Sequence, residues 1–72
     1  MTAVRAEMAA TVHALVAGVG DAVGPEDVLL VLESMKMEIP VLAEVAGTVV
    51  ALPVAVGARV QEGDVLAELD PA

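Results

Sequence analysis

The stretch Thr11–Leu32, TVHALVAGVGDAVGPEDVLLVL, returns as Thr48–Leu69, TVVALPVAVGARVQEGDVLAEL. In register, Thr11-Val12 falls on Thr48-Val49, Ala14-Leu15 on Ala51-Leu52, Val19-Gly20 on Val56-Gly57 and Val23 on Val60. Asp27-Val28-Leu29 falls on Asp64-Val65-Leu66, and Leu32 meets Leu69. Upstream, Val4, Ala6 and Glu7 meet Val41, Ala43 and Glu44, so nearly all of Val4–Glu33 has a counterpart in Val41–Asp70. Two copies are too few for a solenoid, which stacks three or more units. The halves are therefore expected to close on one another with approximate two-fold symmetry.

Each copy reads as β-structure. An apolar strand (Thr11 to Ala17; Thr48 to Val54) leads through a glycine-containing turn (Gly18 to Asp21; Gly57) to a short strand around Val23 or Val60. An acidic turn and a second apolar strand follow, Val28 to Glu33 or Val65 to Asp70. Gly20 and Gly57 suit turns that need positive φ, and Pro25 presets φ for the turn before Glu26-Asp27. Ala6, Met8, Ala9 and Ala10 tolerate a helix, but Pro40, Pro53 and the recurrent glycine turns interrupt any long one, and no sustained 3.6-residue stripe appears.

Seventy-two residues allow one small domain, spanning 1-72. The chain is 58% hydrophobic without a single aromatic side chain, so its core must be built from interdigitating Val, Leu, Ile, Ala and Met. The longest apolar run, Val28 to Leu32, is far short of the roughly 20 residues that span a bilayer. Thr2 to Ala10 carries Arg5 and Glu7 and does not read as a secretory signal, so a cytoplasmic location is the expectation. With no cysteine there are neither disulfides nor thiolate chemistry. Three basic residues against eleven acidic ones give a net charge of -8, which argues against nucleic acid as a partner and for a self-repelling surface.

Between the copies lies Glu33-Ser34-Met35-Lys36-Met37-Glu38, where two strands meet with no room for a loop longer than two residues. A two-residue connection usually takes a type I′ turn, with positive φ at both central positions and Asn-Gly favoured there. Met35-Lys36 is poor turn chemistry, costing roughly 1–2 kcal/mol for each non-glycine residue held in the left-handed region. Strain of this kind tends to persist where a side chain must be held in a set place. The chain's one lysine thus sits at the tip of a hairpin at the centre of the repeat. Methionine ordinarily fills cores, but little core is available at a hairpin tip.

This motif resembles the biotin-attachment site of biotin carboxyl carrier proteins, the biotinyl branch of the biotin/lipoyl-attachment family, in which methionines bracket the modified lysine. The resemblance covers the whole chain. It implies an all-β flattened barrel (a barrel-sandwich hybrid) of two four-stranded antiparallel sheets with pseudo-two-fold symmetry and the acceptor lysine in a central β-hairpin. It implies covalent biotin on Lys36, attached by a biotin protein ligase, with Met35, Met37 and Glu33 as recognition context. It further implies a non-catalytic, monomeric carrier of carboxybiotin between biotin carboxylase and carboxyltransferase components. Lipoyl domains share the fold, but in them aspartate typically precedes the lysine, so Met35 and Met37 favour biotin. Two other readings are a biotinylated interaction or regulatory module outside any carboxylase, and a lipoyl carrier.

The chain departs from the family pattern at several positions. Many biotinyl domains carry Pro where this chain has Glu7 and Glu44, Ala10 stands where the second copy has Gly47, and Glu26 where it has Gly63. No Ala/Pro-rich tether precedes the repeat, which suggests a free-standing form. Other candidate sites are thin: His13 is the only histidine and reads as a strand-surface residue, and Ser34 has no neighbouring base. Glu26-Asp27 and Glu62/Asp64 occupy matching turns, where a turn role is preferred to calcium binding or acid/base work.

Overall fold

Alternating branched side chains and punctuating glycines produce eight strands and no helix in the computed structural model, which describes Met1 to Ala72. They are β1 (Thr2–Arg5), β2 (Ala10–Leu15), β3 (Ala22–Val23), β4 (Val28–Ser34), β5 (Met37–Leu42), β6 (Gly47–Ala51), β7 (Arg59–Val60) and β8 (Val65–Pro71). They form two antiparallel four-stranded sheets, ordered β1-β8-β6-β3 and β5-β4-β2-β7. Advancing by one copy exchanges the two sheets, as the pseudo-two-fold symmetry of the repeat requires. The chain changes sheet at every connection except one, the β4–β5 hairpin.

The two-fold relation extends to individual hydrogen bonds. Gly20 N–H donates to the Val49 carbonyl and Gly57 N–H to the Val12 carbonyl, both at 2.8 Å. Both glycines have positive φ, 97° and 91°. Asp27 Oδ2 accepts from Gly24 N–H and Asp64 Oδ2 from Gln61 N–H, so the two repeated aspartates close their own turns. Register shifts leave His13 and Val50 as extra residues in β2 and β6, and Leu29 and Leu66 in β4 and β8. Such bulges bend a strand and sharpen its twist, which lets short sheets wrap one core.

That core is aliphatic throughout: Leu29, Leu30, Leu66 and Leu69 are fully buried, with Val12, Val49, Val60 and Leu32 packed among them and no polar residue inside. Interdigitating leucines and valines from both copies replace the missing aromatic anchors, at a density that leaves few voids.

The first strands of each copy are shorter than the alternation suggests, ending at Leu15 and Ala51 rather than Ala17 and Val54. Pro53 cannot donate to a ladder and ends the second. In the first, Val16 and Ala17 N–H both turn onto the Leu29 carbonyl as the chain leaves the sheet. A strand at Thr2–Arg5 has no local signature of its own and forms by pairing along β8.

Candidate functional site

Lys36 sits where the two copies join. Ser34 pairs with Met37, Glu33 with Glu38 and Leu32 with Ile39, leaving Met35-Lys36 as a two-residue loop. Met35 has φ 52° and Lys36 φ 64°, the left-handed pair that a type I′ turn demands. The strained connection read from the sequence is therefore present, and what holds it lies below the tip. β4 is rooted in the core through Leu29, Leu30 and Leu32, while Ile39 and Val41 of β5 pack against that core. Rigid strands thus fix the turn, and the turn fixes where the lysine leaves the backbone.

The tip itself is open. Met35 is 93% exposed, Met37 67%, and Lys36 is exposed as well. No hydrogen bond or ion pair engages the Lys36 ammonium; the side-chain hydrogen bonds involve Arg5, Asp21, Asp27 and Asp64, and the one ion pair joins His13 to Glu38. An uncommitted primary amine at the end of a flexible four-carbon stem fits covalent acylation, since no neighbouring group has to be displaced. Met35 and Met37 leave unbranched, polarisable apolar side chains exposed on either side of that amine.

Behind the tip, pairing across all four strands of one sheet sets Arg59, Thr11, Glu33 and Glu38 in a single row. The closing Ser34–Met37 pair is hydrogen-bonded in a two-residue hairpin, so Glu33 and Glu38 form the next, non-hydrogen-bonded pair, where side chains approach closest. Like charges at such a place are destabilising. His13 Nε2 lies 3.6 Å from a Glu38 carboxylate oxygen, with both side chains well exposed. His13 is thus the strand-surface residue the sequence suggests, and its contact with Glu38 has no local signature, because it needs β2 and β5 on either side of β4. Ser34 is half-buried, and Glu33 exposed.

The model of the biotin-requiring enzyme family matches residues 2–69, nearly the whole chain. Among curated proteins, the Mycobacterium leprae homolog of biotinylated protein TB7.3 is 62% identical over 40 residues, covering 56% of each chain. The homolog from Mycolicibacterium smegmatis is 60% identical over the same length and shares. The matched part of this chain therefore spans about half the length of these relatives. Among solved structures, Kluyveromyces lactis urea carboxylase superposes with a TM-score of 0.91 at 30% identity, over 96% of this chain and 6% of that one. A single-chain, multi-domain long-chain acyl-CoA carboxylase gives 0.85 at 36% identity, over 92% and 6%. Repeat, fold, hairpin and family match agree: the chain belongs to the biotin-requiring enzyme family, as a biotin-attachment domain.

Proposed function

We propose that Lys36 is the biotin acceptor and that the domain carries a carboxyl group between a biotin carboxylase and a carboxyltransferase. The observation that supports this most directly is the lone, unpaired, exposed amine on the left-handed Met35-Lys36 turn. In attachment, Lys36 Nζ, having lost a proton from its ammonium form, attacks the acyl carbon of biotin that a biotin protein ligase has activated; the activating group leaves and a second proton is lost, giving an amide that keeps one N–H. The domain is thus the ligase's substrate. Once attached, biotin supplies a ring nitrogen that can take up and release a carboxyl group. The hairpin contributes a fixed origin for a mobile arm, so reach comes from the arm and aim from the rigid strands. Placement in a carboxylase is supported by the carboxylase domains that share this fold.

Co-expression with a biotin protein ligase, followed by intact mass and peptide mapping, tests the acceptor. One biotinyl mass on the peptide containing Lys36 is expected, with none in Lys36→Arg, whose melting temperature should match the parent. Biotin retained in that variant, or a lipoyl mass instead, sinks the assignment. A second reading, a biotinylated interaction module outside any carboxylase, is favoured by the curated relatives, whose names give biotinylation without a carboxylase. Affinity capture of the biotinylated chain separates the two: carboxylase and transferase subunits support the carrier, and their absence beside an unrelated regulator supports the module.

A further inference from the structure

Away from the hairpin, a groove of about 540 Å³ opens between the edge strands of the two sheets, β1 and β5. Its walls are Thr2–Met8 and Ile39–Val45, which are counterparts in the repeat, so it lies on the pseudo-two-fold axis. Ile39 and Val41 are only partly covered beside it, while Val4, Ala6 and Ala43 are buried at its floor. One difference between the edges decides which can accept a strand. Counting down from the hydrogen-bonded Ser34–Met37 pair, Val31–Pro40 is a non-hydrogen-bonded pair, so the Pro40 nitrogen faces the open edge and offers no donor there. Ala3, its counterpart, is exposed and pairs with Glu68 as Pro40 pairs with Val31, so by the same parity its N–H and C=O face outward. The remaining edges, β3 and β7, are two residues long. A strand added beside β1 would lie about 4.8 Å from it in the plane of its own sheet, along the mouth of the groove.

We propose that β1 is a docking edge that accepts an extended, basic, apolar-alternating segment of another protein by strand addition, independently of Lys36 and its modification. Charge selects the occupant. Glu7 and Glu44 line the groove, and the Arg5 guanidinium is taken up by the Gly63 carbonyl at 2.8 Å. A second copy, also carrying -8, is repelled, whereas a strand with lysine or arginine near its ends is attracted. Main-chain bonds to Ala3 supply affinity, and alternate side chains on Ile39 and Val41 supply specificity.

The test uses a fluorescent, terminally blocked Lys-Thr-Val-Thr-Val-Lys peptide and the complete chain, with binding read by anisotropy and backbone amide shifts. Saturable one-to-one binding that weakens with salt is expected, with shifts centred on Thr2–Arg5 and Ile39–Ala43. Ala3→Pro should weaken it about tenfold or more, the loss of one or two net hydrogen bonds. Should that variant misfold, a peptide N-methylated at alternate residues applies the same block to the intact chain and should lose binding equally. Absence of saturable binding, undiminished binding of the methylated peptide, shifts centred on Met35–Met37, or dimerisation of the chain through this edge would each overturn the proposal.

Discussion

The two copies share a fold, but they end differently. Residues Val4–Glu33 and Val41–Asp70 build equivalent strands, bulges and turns, and the symmetry sets the β4–β5 tip against the place where β1 and β8 bring the chain termini together. One junction is a strained two-residue turn carrying an exposed lysine; at its counterpart Thr2 pairs with Leu69 across β1 and β8. The copies agree in their strands and differ at this connection. Three smaller differences show the same logic. Gly47 touches the Asp70 backbone so closely that a Cβ would collide with the Asp70 carbonyl, whereas Ala10, its counterpart, is buried with its methyl in place. Gly63 has φ 93° while Glu26 has no positive φ, and Glu44 has φ 66° while Glu7 does not. At Glu26 and Gly63 backbone and residue type depart together, whereas Glu7 and Glu44 are alike in residue and differ in backbone.

The comparison can be pressed hardest in the core. Leu29→Ala and Leu66→Ala remove matching, fully buried bulge side chains, and each is expected to cost about 2–5 kcal/mol in denaturant unfolding. Equal losses would show that the halves share stability as they share shape; a loss confined to one would show that only one copy nucleates the core. A sharper contrast comes from Gly47→Ala, which forces the Asp70 backbone aside and should cost about 1–3 kcal/mol, against at most about 1 kcal/mol for Ala10→Gly. Similar thermal shifts for the two would mean the asymmetry at this position is incidental.

The smallest effects lie at the hairpin tip, and there the sign is the informative part. Met35→Asn relieves a left-handed methionine and should stabilise the chain by up to about 1 kcal/mol, seen as a raised melting temperature, while slowing biotin addition. Glu38→Thr removes a carboxylate that faces Glu33 and should stabilise by a few tenths of a kcal/mol, less whatever its contact with His13 contributes. Substitutions that strengthen the hairpin while weakening attachment would separate what the tip does for folding from what it does for modification.

Much of this was legible in the residues alone. The repeat of TVHALVAGVG in TVVALPVAVG implies two equivalent halves, the glycines at 20 and 57 mark turns that need positive φ, and Met35-Lys36 leaves too little chain for anything but a strained turn. These readings depend on local backbone preference and on comparing the chain with itself. Less legible were the strand at Thr2–Arg5, the early ends at Leu15 and Ala51, and the contact of His13 with Glu38. Each depends on a partner distant in sequence: β8 creates β1, the Leu29 carbonyl draws β2 out of its sheet, and His13 reaches Glu38 across β4.

The sequence by itself therefore determined the core strands of each copy, the two-fold plan and the lysine's place at a tight turn, because side-chain alternation and turn conformation are set within a few residues. Only the tertiary structure decided which edge lies open and which is blocked. The outward direction of Pro40 nitrogen and Ala3 N–H follows from hydrogen-bond parity counted along paired strands, and parity exists only once those strands have met.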